Sequence, residues 1–161
     1  MLKKYWRGAL LVSIACFLLA GGAHAVDLYV NCDTGVDSIT GGYGTSESSP
    51  FKTISFASTQ GATGDDIHVA PGIYNSATGE VFPLSITGRH LISSGTGLAT
   101  IEEPSSSVEQ LTLRANTTLE GFTVRGSAGN CIRVGGNYVT IFNCVLNAVN
   151  SYRVGITMGG T

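Results

Sequence analysis

The densest cluster of ionisable side chains lies in GDDIHVAPGIYN, Gly64–Asn75, where Asp65 and Asp66 closely precede His68. Two carboxylates flanking a glycosidic bond, roughly 5–9.5 Å apart, can hydrolyse it. The spacing here works against that chemistry, because neighbouring strand residues point to opposite faces. Only one of the two aspartates can therefore face a groove. Glu102-Glu103 has the same defect and reads as a solvated loop margin. His68 alternates with Ile67 and Val69, most simply as an outward side chain, and one histidine without a partner makes no site.

Elimination from a uronate needs a base and a cation, often calcium, that neutralises the sugar carboxylate. Arg125 and Arg133, outward on or beside neighbouring strands, are the candidate contacts to an acidic sugar. No carboxylate cluster stands at matching positions, and solvated arginines are the simpler reading. Asp33 and Asp37, four residues apart in the polar loop CDTGVDSITGGYGTSESSP, are the candidate calcium ligands. Calcium wants six or more oxygens, whereas loop aspartates commonly make local turns. No catalytic residue is assigned, and no cofactor beyond calcium at these two positions comes into view.

The elements that must position these groups begin after a leader. MLKKYWRGALLVSIACFLLAGGAHA has a basic start, an apolar run from Ala9 to Ala20, and Ala23-His24-Ala25 at its end. That is the pattern of an export signal cleaved after Ala25, and its apolar run is short of the roughly 20 residues of a membrane span. The expected location is therefore secreted, periplasmic or cell-surface, with no membrane span in the mature chain. Cleavage removes Lys3, Lys4 and Arg7 and leaves the acids, so the mature chain is more acidic than the formal net charge of −2. The remaining bases are scattered, which argues against a nucleic-acid partner. Cys32, Cys131 and Cys144 remain, an odd number that leaves at least one thiol unpaired.

Residues 26–161 fit one domain and read as mostly β. VDLYVN alternates as a strand. Thr53 can cap a short helix with Ile54 and Ala57 on one face and Gly61 at its end. Beyond Gly64 come DIHVA, FPLSI, HLISS, ATIEE, QLTLR, TLEGFTV, CIRV, VTIFNCVL and GITM, separated by Gly, Asn, Ser and Pro. The hairpin dipeptides of an antiparallel sandwich are missing between them. Instead the last third repeats. Thr118 falls on Thr140, Leu119 on Ile141, Phe122 on Cys144, Val124 on Leu146, Ile132 on Ile156 and Val134 on Met158. Such a period with short strands predicts stacked parallel coils. Gly121 and Asn143 fall where one strand bends into the next. Cys144 is expected inward and Cys131 outward beside Arg133, so a bond between them is not expected.

The ordered set SPFKTI, GDDIHVAPGIYN, GEVFPLSI, TIEE and TLEGFTV resembles an uncharacterised family found at the N-terminal end of exported bacterial and archaeal proteins. The resemblance implies an all-β, right-handed, single-stranded parallel β-helix of the pectate-lyase-like kind. A short helix would cap its first coil, with Pro50, Phe51 and Ile54 in the capping motif and Phe51 and Ile54 closing the apolar end. Gly64, Asp65, Ile67, Val69, Pro71, Gly72 and Tyr74 match its recurring pattern, while Asp66 and His68 fill variable positions. Polygalacturonases, also β-helical, carry an Asp-Asp motif, but their other motifs are absent here. No common activity belongs to the family, so no catalytic residue carries over. The expectation is a non-catalytic exported module that contacts carbohydrate or a cell surface, or begins a larger β-helix. The alternative is the first part of a polysaccharide lyase or glycoside hydrolase whose active coils lie beyond this chain. GITMGGT stops mid-pattern without a cap, which reads as truncation.

Overall fold

Strands of three to five residues follow from the frequent Gly, Asn, Ser and Pro, which interrupt every apolar alternation before it can lengthen. The structure, a computed structural model, describes residues 25–104, 109–126, 130–148 and 155–159. The predicted leader as far as His24 lies outside the described residues. The elements are β1 (Asp27–Val30), α1 (Ile54–Gln60), β2 (Asp66–Val69), β3 (Gly72–Tyr74), β4 (Leu84–Ile86), β5 (His90–Ser93), β6 (Ala99–Glu103) and β7 (Leu111–Leu113). They continue with β8 (Thr117–Glu120), β9 (Thr123–Gly126), β10 (Ile132–Val134), β11 (Val139–Phe142), β12 (Val145–Ala148) and β13 (Ile156–Met158).

All pairings between these strands are parallel; β1 stacks on β2, and from β2 to β10 each strand stacks on the third one after it. The sheets are β1-β2-β5-β8-β11, β3-β6-β9-β12 and β4-β7-β10-β13. The fold is thus an all-β parallel β-helix, with α1 the single α-helix among the described residues. Its repeat has the register read from the sequence. Thr118 pairs with Thr140 and Leu119 with Ile141, Val124 with Leu146, and Ile132 with Ile156 and Val134 with Met158.

The core is a set of aliphatic columns running through the coils. Leu28, Ile67, Leu91, Leu119 and Ile141 form one; Tyr74, Ile101, Val124 and Leu146 a second. Two more run through Leu84, Leu111, Ile132 and Ile156, and through Ile86, Leu113, Val134 and Met158. Each fully buried aliphatic side chain contributes about 1.5–3 kcal/mol over its exposed state, alongside the hydrogen-bonded ladders that join the coils.

One strand was not read from the sequence, and one sequence expectation is corrected. Gly72 opens β3, which is too short to register as an alternation. As expected, TLEGFTV and VTIFNCVL each bend from one strand into the next at Gly121 (φ 76°) and Asn143 (φ 53°), where the left-handed backbone turns the corner. Cys131 is fully buried rather than outward. It precedes β10 at a corner, where strand alternation does not apply, and both it and Ile132 turn inward.

The two ends differ. At the first, Thr53 caps α1 by accepting from the Phe56 N–H, and Ile54 and Ala57 pack their buried face on the first strands. The outer edge of β1 is covered too: Tyr29 N–H donates to the Gly44 carbonyl, Phe51 N–H to Tyr29, and Asn31 N–H to Phe51. At the other end β11, β12 and β13 each stand last in their sheet. Ile156 and Met158 occupy the same columns as buried Ile132 and Val134 yet are 39% and 77% exposed. No helix among the described residues is long and apolar enough to cross a membrane.

Candidate functional site

Parallel register stacks residues from distant parts of the chain, and on the outer face of the first sheet it stacks ionisable ones. One outward column runs Asp27, Asp66, His90, Thr118, Thr140; the next runs Tyr29, His68, Ile92, Glu120, Phe142. Asp27 Oδ1 lies 3.3 Å from His68 Nε2. Ser94 Oγ lies 3.1 Å from the other ring nitrogen, Nδ1. Tyr29 stacks on the same ring at 5.2 Å between centroids and 20° between planes. His90 sits between two acids, with Nδ1 3.4 Å from Asp66 Oδ1 and Nε2 3.5 Å from Glu120 Oε2.

His68 is therefore not solitary, which corrects the sequence reading. Its carboxylate partner is 41 residues away, so nothing local announces it; only coil register does. Opposite charges on adjacent strands attract and like charges repel. The stacked Asp27 and Asp66 each have an imidazole nitrogen close by, from His68 at 3.3 Å and His90 at 3.4 Å. Beside this face, a groove of about 280 Å³ is lined by Tyr29, Asn31, Glu47, Pro50, His68 and Ser94, among others. Asp27 and Asp66 do not line it, and their nearest donor atoms lie within 4.8 Å of each other.

The two aspartates of the opening motif separate as strand geometry requires. Asp66 faces out, whereas Asp65 is buried and accepts from the Val26 and Ala62 N–H groups. Gly64 takes φ 96° just before it. Ile67, Val69 and Tyr74 are buried, and the Tyr74 hydroxyl donates to the Ala70 carbonyl at 2.9 Å. Pro71 lies half-buried against the groove. A Cβ on Gly72 would stand 2.6 Å from Cys32 Sγ, so this position needs glycine for close approach. Pro50, Phe51 and Ile54 are buried at the capped end.

Arg125 has one acid in register, Glu102, one coil earlier and 3.1 Å away. Glu102-Glu103 belongs to β6 rather than a loop margin, and Glu103 accepts from the Ser76 N–H at 3.0 Å. Arg133 lies exposed on β10 between Thr112 and Thr157. Asp37 has its oxygens engaged by the Lys52 N–H, Thr53 N–H and Thr53 hydroxyl at 2.8–3.0 Å. Asp33 is exposed and its N–H donates to Asn31. The three thiols are free, and burial pushes each thiol pKa up.

Glu80 escaped sequence reasoning altogether. It is buried and accepts from the Ile54 N–H, Ser55 N–H and Ser55 hydroxyl, holding the first turn of α1. Burial raises its pKa despite these bonds. Nothing within GEVFPLSI marks this glutamate for such a role.

Comparison with known proteins adds one match. A family model described as Protein of unknown function (DUF1565) matches residues 34–158. No curated protein and no solved structure matches the chain.

Proposed function

Since the chain belongs to this family of unknown function, DUF1565, whose match takes in α1 and every strand from β2 to β13, we propose that it serves as the closed beginning of a longer parallel β-helix and carries no reaction of its own. The observation that carries this reading is the asymmetry of the ends. One end is sealed by α1 and by the segment around Phe51; the other presents core columns, at Ile156 and Met158, with nothing stacked on them among the described residues. A β-helix buries its apolar cross-section only by adding a coil or a cap. The free edges of β11, β12 and β13 offer backbone groups for the next parallel strands. The leader pattern adds that the whole is exported, its outer faces available to carbohydrate or a cell surface. The groove beside Tyr29, with polar Asn31, Glu47 and Ser94, favours a sugar as the small ligand there.

Appending a copy of residues 117–138 to the C-terminus tests the main reading. A stacked extra coil raises the urea midpoint and the m-value together. An unchanged midpoint, with the added segment cleaved freely by protease, overturns it. Glycan-array binding that disappears in Tyr29→Ala tests the sugar reading separately.

A further inference from the structure

Asp27 and Asp66 are directly opposite each other on β1 and β2, an arrangement that repels unless something positive lies between them. His68 comes to the same place from the neighbouring outward column, and its ring is held from outside the acidic pair. Tyr29 stacks on its face and Ser94 meets Nδ1, which leaves Nε2 directed at Asp27. A ring held by a polar partner at one nitrogen, with the other turned toward two carboxylates, is oriented as a metal-ligating imidazole is. We propose that Asp27, Asp66 and His68 bind one divalent ion of the zinc class, which clamps the first strand of the stack to the second.

The geometry is close to that required. Zinc bonds of about 2.0–2.2 Å to nitrogen and oxygen set tetrahedral donor separations of roughly 3.3–3.5 Å. Asp27 Oδ1 and His68 Nε2 are already 3.3 Å apart. The donor atoms of all three residues lie within 4.8 Å of one another, so Asp66 needs only a side-chain rotation to complete the face. Before that rotation its Oδ1 lies 3.4 Å from His90 Nδ1, a neighbour placed to hydrogen-bond the ligating carboxylate. Asp27 is 59% exposed, which leaves a fourth position for water. Two carboxylates and one imidazole suit a first-row divalent ion; three donors with a nitrogen among them are a poor set for calcium. The consequence is structural. Asp27 is on β1, which stands first in its sheet, while Asp66 and His68 are on β2.

Zinc titration of the full chain by calorimetry, paired with the optical spectrum of the cobalt-loaded chain, tests this. The expected result is one equivalent bound, a higher Tm with zinc, and a tetrahedral cobalt spectrum free of thiolate charge transfer. Asp27→Asn and His68→Gln should each weaken binding at least tenfold and abolish the Tm rise. Both side chains point outward, so the far-UV spectrum of either variant should match the wild type. The absence of zinc binding overturns the site, as does undiminished binding in both variants. A thiolate band in the cobalt spectrum also overturns it, by placing the ion on cysteine.

Discussion

Replacing Glu80 with alanine should loosen the closed end of the stack. Its Oε1 accepts from the Ile54 N–H at 2.6 Å, and its Oε2 accepts from the Ser55 N–H at 3.0 Å and hydroxyl at 2.6 Å. The first N–H groups of a helix have no intrahelical carbonyl to meet. In the alanine variant the Ile54 N–H stays buried without this acceptor, at about 1–3 kcal/mol. The Ser55 donors, half-buried, turn partly to water and lose about 1 kcal/mol. Part of this is offset because an ionised carboxylate no longer has to be buried. A net loss of about 2 kcal/mol lowers the Tm by about 4–8 °C in a chain of this size.

The same residue sets a pH dependence whose sign can be fixed. Burial raises the folded-state pKa of Glu80. Its proton-linked stability is therefore fully present below the ordinary glutamate pKa and lost as pH rises through the raised value. Glu80→Gln cannot ionise, so the wild type should lose stability relative to it across that window. Urea unfolding followed by far-UV circular dichroism, at several pH values, measures both effects. An alanine variant within about 0.5 kcal/mol of wild type, the range of surface substitutions, would refute the reasoning. So would a wild-type minus glutamine difference that stays flat or grows with pH.

Other substitutions probe the cap, the columns and the thiols. A Cβ at Gly44 would lie 2.0 Å from the Phe51 ring, at a φ of 80°, so Gly44→Ala should cost about 2–3 kcal/mol in urea unfolding. Leu111→Ala, in the middle of its column, should cost about 2–5 kcal/mol. Ile156→Ala, at the exposed end of the same column, should cost below about 1 kcal/mol; equal costs would mean that end is covered. Cys32 and Cys131, buried and with raised thiol pKa values, should resist iodoacetamide at neutral pH until urea unfolds the chain, as peptide mass spectrometry can follow.

The architecture was legible because a parallel coil writes its register into the sequence. Leu119 over Ile141 and Ile132 over Ile156 are like residues at a near-constant offset, and the pairing follows that offset. Thr53 and Gly61 are ordinary helix signals and were equally readable. What escaped notice depends on contacts that no local pattern encodes. Gly72–Tyr74 offers one buried side chain in three residues, too little to show an alternation. Cys131 lies at a corner, where period-two reasoning fails. His68 with Asp27, and Arg125 with Glu102, become partners only after the coils stack. Glu80 reaches the helix from 26 residues away. The outward faces, where ligands would bind, are thus the part that period-two reading sees least.

Native-state amide hydrogen exchange across the coils tests the central claim most directly, because it reads how well each strand is covered. An open-ended stack predicts that core amides of β5, β6 and β7 exchange only through global unfolding, whereas those of β11, β12 and β13 exchange through local opening at the free end. With the additional coil appended, protection of β11, β12 and β13 should rise to that of the inner strands. Equal protection of all coils in the chain as it stands would contradict the account, since it would mean the far end is already closed.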